Sequence, residues 1–259
     1  AVNLSAVDVY ITKVYASNVM QFLQVNEFNG SYQMKRVAAE VLKKTINLKE
    51  NLGGKNLSEW NRFYLNLDEI IKKEPGAIYQ IEFRFNRNYS LYSCAEGSEV
   101  LQEIEVEIKD DSWTENGWSN DYYYDYYYDD YYYDDYYDYD YRERENPCNS
   151  SYYRNKTVKT NILSSDLGIT AKAGADKTMH VFVNDIISTN PMSGVTVDFY
   201  DFQQQLLGSA TTNSDGMLDI RLEKKPFVLI AKSGNQTGYL RLRDGDALSL
   251  SKFDVYGDV

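Results

Sequence analysis

The sequence predicts an all-β protein made of two antiparallel β-sandwich domains in tandem. Three observations lead to this prediction. Apolar and polar residues alternate in many short runs, which is the period of a half-buried strand. Polar turn residues separate these runs, in the second half at intervals of roughly 8–12 residues. A tract built only of tyrosine and aspartate, at residues 121–141, divides the chain into two β-rich halves.

The first half contains strand patterns on both sides of the tract. Within the clearest pattern, Ile81, Phe83 and Phe85 alternate with polar residues. Residues 67–76 predict a helical turn or loop, because the Pro-Gly pair at its end stops regular structure. Residues 100–109 alternate as well and predict a hairpin arm within an insertion. The predicted strands cover residues 6–11, 19–25, 41–48, 62–67 and 77–87, and a closing strand of the same domain covers 157–163.

The second half has the more regular rhythm. Turns such as Ser214-Asp215-Gly216 and Asp244-Gly245-Asp246 separate its short strands. This arrangement is typical of an antiparallel sandwich of the immunoglobulin or fibronectin-like type. We expect domains at residues 1–164 and 165–259, with residues 95–147 inserted into the first. The predicted strands cover residues 168–172, 178–184, 195–202, 206–212, 217–221, 227–232, 238–241 and 248–253.

The tract contains thirteen tyrosines and eight aspartates in irregular blocks, and much of the net charge of −12 lies around it. Its repeated negative charges and lack of aliphatic residues predict a solvated insertion that cannot fold alone. Two functional hypotheses remain beside this one. Tyrosine-rich loops can form binding surfaces, and clustered carboxylates can bind Ca²⁺ weakly. The blocks lack the spacing of a calcium loop, so we predict no metal site.

Cys94 and Cys148 are the two cysteines, and they flank the insertion. They are either two unrelated buried thiols or a disulfide at the base of the insertion. A disulfide would indicate an oxidising compartment and would stabilise the fold by about 4 kcal/mol in the chain-entropy model. We favour the disulfide.

No catalytic pattern is recognisable. His180 is the only histidine, which excludes a histidine-based metal cluster and a Ser/His/Asp triad. On an alternating strand it is expected on the surface face, opposite Met179 and Val181. We therefore expect no enzyme activity and no cofactor. The acidic chain without a basic stripe argues against nucleic acid, and no apolar run is long enough to span a membrane. No signal peptide is visible and both ends are strand-like, so we expect a piece of a larger, processed protein.

Two stretches go beyond a general sandwich pattern. One begins with Asn161-Ile162-Leu163-Ser164-Ser165-Asp166-Leu167-Gly168 and continues through Val181-Phe182-Val183-Asn184-Asp185 to the strand at residues 248–253. The other runs from Val7-Asp8-Val9 to residue 24. Together they resemble consecutive macroglobulin domains of a bacterial alpha-2-macroglobulin, from the part that precedes the bait region. The segment Cys148-Asn149-Ser150-Ser151 resembles the variable insertion of versions from Bacteroides-like bacteria.

The resemblance implies a role in a protease trap. In that family a protease cuts the bait segment, the ring of macroglobulin domains rearranges, and the protease is enclosed. Many members also hold it through a Cys-Gly-Glu-Gln thioester, whereas this chain has Cys94-Ala95-Glu96-Gly97 and no bait-like linker. No functional residue is carried over. The resemblance therefore implies a non-catalytic scaffold segment.

The partners implied by the resemblance are neighbouring macroglobulin domains and, for the full-length protein, proteases. The implied location is extracytoplasmic, in the periplasm or at the cell surface. The full-length parent protein is expected to be a lipoprotein. Two rival hypotheses come from other classes. One is an adhesin or a carbohydrate- or protein-binding sandwich of a bacterial surface protein, because the same architecture hosts many binding functions. The other is an accessory domain of an enzyme.

Overall fold

The computed structural model describes residues 1–50, 56–94, 140–153 and 156–242. It confirms an all-β protein with antiparallel sheets. Neither of its two helices has the length and hydropathy that a membrane crossing by a helix requires, within the described ranges. The helices are α1 (Val19–Val25) and α2 (Ser150–Tyr153). The strands are β1 (Ala6–Val14), β2 (Ala38–Asn47), β3 (Ile78–Arg84), β4 (Thr157–Leu163), β5 (Leu167–Ala173), β6 (Thr178–Asp185), β7 (Thr196–Tyr200), β8 (Leu206–Thr211), β9 (Met217–Arg221), β10 (Val228–Ser233) and β11 (Gln236–Arg241).

The chain divides into two compact units. Unit 1 consists of Ala1–Val14, Ala38–Lys73 and Tyr79–Ile162, and unit 2 of Tyr15–Val37, Glu74–Ile78 and Leu163–Val259. Two segments of the first half thus belong to the second unit, which the sequence did not predict. The domain boundary between residues 164 and 165 stays a prediction. The predicted strands at residues 100–109 and 248–253 lie outside the described residues.

Unit 1 is built around a four-stranded sheet with the order β2-β1-β3-β4. Strands β1 and β2 are antiparallel, and the register shifts between Ile11 and Thr12. Central strand β1 is buried along most of its length, and Val9, Ile11 and Val14 are fully inaccessible. The predicted strands at residues 6–11, 41–48, 77–87 and 157–163 are confirmed with shifted ends, and β4 forms the edge of the sheet beside β3.

The predicted strand at residues 62–67 is wrong. The structure has no strand at this position, and the residues there alternate between exposed and half-buried. Phe63 packs against a buried cluster of Leu4, Val7 and Leu48, which explains the alternation. An extended segment needs only one apolar face to produce the pattern, whereas a strand also needs a hydrogen-bonded neighbour. The predicted turn over residues 67–76 is confirmed by the 3-10 turn Leu67–Glu69.

The predicted strand at residues 19–25 is also wrong, because this segment forms helix α1. Val19, Phe22 and Leu23 are its buried residues. Their spacing of i, i+3 and i+4 places them on one face of a helix. The sequence pattern predicted a strand here, but burial of this face decided the conformation.

Unit 2 contains a two-layer sandwich. One sheet has the order β11-β10-β7-β8 and the other the order β5-β6-β9, and the predicted strands at residues 168–172, 178–184, 195–202, 206–212, 217–221, 227–232 and 238–241 are confirmed as β5 to β11. Their alternation places one side chain in two into a shared core. The buried core consists of Leu167, Met179, Val181, Val183, Val195, Val197, Phe199, Leu218, Leu222, Leu229 and Ala231.

The turn before β9 illustrates how local chemistry supports the sandwich. The Asn213 side-chain oxygen accepts hydrogen bonds from the backbone of Asp215 at 3.0 Å and of Met217 at 3.0 Å. Gly216 adopts a φ of +71°, and a Cβ there would lie 2.5 Å from the carbonyl oxygen of Val183. Only glycine fits this position without strain. The Asp-Gly pair in the sequence therefore marks a required turn.

Candidate functional site

The structure joins Cys94 and Cys148 in a disulfide, with a Cα–Cα distance of 5.6 Å and 54 residues of sequence separation. The bond closes the base of the predicted insertion. Its sulfur atoms are thereby unavailable as nucleophiles, since a thiolate is the reactive form of cysteine.

Short hydrogen bonds organise the chain beside Cys148. Asp140 caps the following 3-10 turn through its bond from the Arg142 backbone at 2.9 Å. The Asp140 backbone donates to the buried Ser151 hydroxyl at 2.9 Å. Burial raises the pKa of Tyr153 above its ordinary value, although a hydrogen bond with Ser90 opposes this. The end of the tract is therefore attached to ordered structure.

Most of the tract, residues 121–139, lies outside the described residues. Its two remaining members, Asp140 and Tyr141, are both exposed. The Arg144 guanidinium lies 3.8 Å from the centre of the Tyr141 ring, within the range of a cation–π contact. The binding-loop hypothesis for the tract stays untested, and so does the prediction that the tract holds no metal site.

His180 lies exposed on the outer face of β6, as the alternation predicts, while Met179 and Val181 point into the core. Its Nδ1 atom is 2.7 Å from Asp219 Oδ1, and Lys172 occupies the paired position on β5. One exposed imidazole beside one carboxylate is a surface pair and not a catalytic triad.

A buried carboxylate in unit 1 was missed by the sequence analysis. Asp8 on β1 is only 5% exposed. Its Oδ1 atom accepts hydrogen bonds from the Thr45 hydroxyl at 2.6 Å and from the Tyr89 hydroxyl at 2.7 Å. Burial raises the pKa of Tyr89; the hydrogen bond with Thr45 opposes this shift, and the contact with Asp8 adds to it. This group holds three segments of unit 1 together and is structural.

The segment Tyr15–Val37, which we call the strap, was also missed. The strap connects β1 to β2 along the chain, yet it belongs to unit 2. Within unit 2, the Gln24 side chain donates to the Phe202 carbonyl at 2.5 Å. Arg241 Nη1 donates to the Asn26 carbonyl at 2.7 Å, and the Tyr239 hydroxyl donates to the Ala16 carbonyl at 3.3 Å. Strand β11 is thus held by side chains of its own and by the strap.

A second inserted segment of unit 2, Glu74–Ile78, lies beside the same strand. Gly76 has a φ of +79°, and a Cβ there would come within 2.8 Å of the Thr237 Cβ atom. Its backbone N–H donates to the Ser164 carbonyl at 2.8 Å. Burial and the nearby Glu74 carboxylate raise the pKa of Tyr239 to about 12. A close approach between this segment and β11 therefore requires glycine.

The strap and β11 enclose a cleft of about 330 Å³ in unit 2. Its walls are mainly apolar and aromatic, with one acidic and one basic side chain. The lining residues are Leu23, Glu27, Phe28, Ile78, Tyr239, Leu240 and Arg241. No sequence pattern marks this cleft, because its residues come from three segments that are distant in sequence.

Comparison with known proteins identifies the second half of the chain. The family model of the bacterial alpha-2-macroglobulin MG3 domain matches residues 164–259. The alpha-2-macroglobulin of Pasteurella multocida is 30% identical over 103 residues, which covers 37% of this chain and 5% of that protein. The matched region is thus a small part of its relative.

Two solved structures share the fold. A crystal structure of native Escherichia coli alpha-2-macroglobulin spanning domains NIE-MG1 aligns with a TM-score of 0.50 and 15% identity, over 93% of this chain and 86% of that one. The cryo-EM reconstruction of the native E. coli protein aligns with a TM-score of 0.52 and 17% identity, over 99% of this chain and 12% of that one.

The two kinds of comparison attach different domain labels, MG3 and NIE-MG1, to the region. The sequence match carries the label, because identities of 15% and 17% establish the fold alone. The sandwich of unit 2, the match over residues 164–259 and the similarity to a relative agree on one family. Residues 164–259 are thus a macroglobulin domain of the bacterial alpha-2-macroglobulin type, and the chain is similar to a macroglobulin-domain segment of an alpha-2-macroglobulin.

Proposed function

We propose that this chain is a non-catalytic scaffold segment of a protease-trapping inhibitor in the bacterial cell envelope. The observation that carries the proposal is the macroglobulin-domain match on a unit whose sandwich core is closed and apolar. Its partners are neighbouring macroglobulin domains of the same parent and, for the full-length protein, the proteases that it encloses.

The chemistry of the described side chains supports a scaffold role. The Cys94 sulfur is bonded to Cys148, so it cannot form a thioester or act as a nucleophile. The Asp8 Oδ1 atom accepts hydrogen bonds from the hydroxyl groups of Thr45 and Tyr89, and these bonds stabilise the sheet of unit 1. These groups, which could have carried chemistry in another setting, hold the fold.

The disulfide also supports an extracytoplasmic location. Disulfides persist in the periplasm and at cell surfaces, where thiols are not kept reduced. A trap that works by rearranging rigid domains needs domains that keep their shape while they move. The buried core of unit 2 and the cross-linked chain of unit 1 suit that requirement.

A trapping assay on the full-length parent tests the proposal. When the parent is incubated with trypsin, cleavage of a large substrate such as casein should fall while cleavage of a small peptide amide persists. The reason is that the inhibitor around an enclosed protease keeps out only large substrates. Residues 1–259 alone should inhibit neither reaction. A parent that leaves casein cleavage unchanged would contradict the proposal.

A variant of this segment tests the scaffold role in the same assay. Phe199→Ala removes a fully buried core ring and should reduce trapping by the parent. Phe202→Ala, at a ring that is 50% exposed, is the matched control and should trap normally. Equal trapping by both variants would argue against a scaffold role for unit 2.

One observation favours the adhesin hypothesis as a second candidate. Trp60 and Tyr64 are 83% and 87% exposed, and the exposed Arg62 lies between them in sequence. Exposed aromatic rings beside arginine are common in binding surfaces. A glycan array probed with residues 1–259 would support this function if it showed specific binding that Trp60→Ala abolishes.

A further inference from the structure

Strand β4 leaves one edge of the sheet in unit 1 exposed. It is the last strand in the order β2-β1-β3-β4, and among the described residues no other strand pairs with its outer side. The backbone N–H and C=O groups of such an edge form a template for a further strand. Only Asn161 of β4 is buried, and its side-chain oxygen accepts a hydrogen bond from Gln80 Nε2 on β3 at 3.0 Å.

Strand β4 has little of the protection that exposed edge strands usually carry. Such edges are protected by proline, bulges or several charges, whereas Thr157–Leu163 contains no proline and one charged residue, Lys159. Val158 is 60% exposed and Ile162 is 41% exposed, and both lie on one face because their separation in sequence is even. Lys159 lies on the opposite face. A strand that completes this edge therefore needs apolar side chains on one face and negative charge on the other.

One segment of the chain has this complementary pattern. Residues 103–108, which lie outside the described residues, alternate strictly between glutamate and a β-branched apolar residue in the sequence. Beside β4, the apolar side chains would pack against Val158 and Ile162, and a carboxylate would face Lys159. The glutamates are Glu103, Glu105 and Glu107, and the apolar residues are Ile104, Val106 and Ile108.

The Cys94–Cys148 disulfide tethers this segment close to β4. Residue 103 follows Cys94 by nine positions, and Thr157 follows Cys148 by nine positions. An extended chain spans at most about 3.3–3.6 Å per residue, so both stretches can reach up to about 30 Å from the same disulfide. Two groups joined by a short tether meet at an effective concentration in the millimolar range, so a weak pairing energy is sufficient.

We propose that the outer edge of β4 is the docking site of residues 103–108 of the same chain, which pair with it as a fifth strand of the sheet in unit 1. This pairing is independent of the proposed protease-trapping function. It covers the exposed edge and attaches the insertion to unit 1 at a second place besides the disulfide.

Hydrogen exchange of residues 1–259, followed by NMR for each residue, tests the pairing. Val106→Pro removes a backbone donor in the middle of the segment, and a proline inside a paired strand breaks its ladder. The β4 amides that face away from β3 should then exchange at least about tenfold faster than in the wild type. Tyr132→Pro, in the tract and outside the segment, is the matched control and should leave β4 unchanged. Equal exchange of these amides in the wild type and in Val106→Pro would overturn the proposal.

A charge exchange identifies the paired segment. Lys159→Glu places like charges across the new strand pair and should speed exchange of the same amides by about two- to fivefold. The double variant Lys159→Glu/Glu105→Lys should restore slow exchange. Exchange in β3 of both variants checks that the sheet is intact. If the double variant showed no recovery, residues 103–108 would not lie beside Lys159, and the assignment would be wrong.

A dilution series separates pairing within one chain from pairing of β4 edges between two copies. Pairing within the chain gives protection of β4 that does not depend on protein concentration, and this is the expected result. Protection that increases with concentration would assign the edge to a second copy and overturn the proposal.

Discussion

At the residue scale, the surroundings of Tyr239 in unit 2 change the pKa of its hydroxyl group. Its ring lines the cleft and its hydroxyl donates to the strap at the Ala16 carbonyl. Burial is the main cause that raises its pKa from 10.0 to about 12, and the Glu74 carboxylate adds to it. The ionised form of this tyrosine is therefore disfavoured only while unit 2 is folded.

This shift predicts a pH dependence of stability. Because the pKa of Tyr239 is raised in the folded state, the unfolded chain releases this proton at a lower pH than the folded chain. The contribution of Tyr239 to the free energy of unfolding is therefore intact below pH 10 and lost as pH rises towards 12. The free energy of unfolding should decrease by about 2–3 kcal/mol over that interval. Urea unfolding between pH 8 and 11.5 measures the slope.

The control for this prediction uses two tyrosine variants. Tyr239→Phe should have a shallower decline with pH than the wild type, because it removes the group whose pKa is shifted. Tyr64→Phe, at an 87% exposed position, should keep the wild-type slope. A Tyr239→Phe slope equal to that of the wild type would contradict the explanation.

At the scale of elements, helix α1 is a buried part of unit 2, although it lies more than 100 residues before the strands of that unit. Phe22→Ala should lower the free energy of unfolding of unit 2 by about 3–5 kcal/mol, because the ring is fully buried. Val25→Ala on the same helix, at a 51% exposed position, should cost less than about 1 kcal/mol. Hydrogen exchange should show faster exchange in β10 and β11 for Phe22→Ala. Loss of protection confined to β1 and β2 would show that α1 belongs to unit 1.

The disulfide is the second element whose effect can be measured. Replacing both Cys94 and Cys148 by serine should destabilise unit 1 by about 4 kcal/mol, because 54 residues of separation give a large loop-closure term. Deleting residues 121–139 shortens this loop and should change that term by only about 0.4 kcal/mol. Urea unfolding of both variants and of the reduced wild type measures the effect. A doubly substituted chain as stable as the wild type would contradict it.

Two wrong predictions have the same physical origin. Residues 19–25 and 62–67 both contain apolar residues at intervals that a strand can use. The first became a helix because Val19, Phe22 and Leu23 have a common surface to cover. The second does not form a strand, because its Phe63 side chain packs against a buried cluster while its backbone pairs with no neighbouring strand. Local pattern reports which residues face a core, and the neighbouring element decides the backbone conformation.

At the scale of the whole molecule, the chain path interleaves the two units. The family match begins at residue 164, yet unit 2 also contains the strap and Glu74–Ile78. A fragment of residues 164–259 should therefore unfold at lower urea concentration and with less cooperativity than unit 2 in the intact chain, because it lacks the buried Phe22 and Leu23. Addition of a peptide of residues 15–37 should restore part of the stability, whereas the same peptide with Phe22→Ala should not. A fragment as stable as the intact chain would contradict this prediction.

The sequence by itself determined strands β5 to β11, the surface position of His180 and the family resemblance. These features depend on neighbouring residues, because alternation and turn chemistry act over a few positions. Only the tertiary structure decided that the strap belongs to unit 2, that Asp8 is buried with Tyr89 and Thr45, and that Arg241 faces a cleft. Each of these joins segments that are distant along the chain. A single sequence contains no local pattern for such contacts, because they depend on how separate apolar faces come to share one interior.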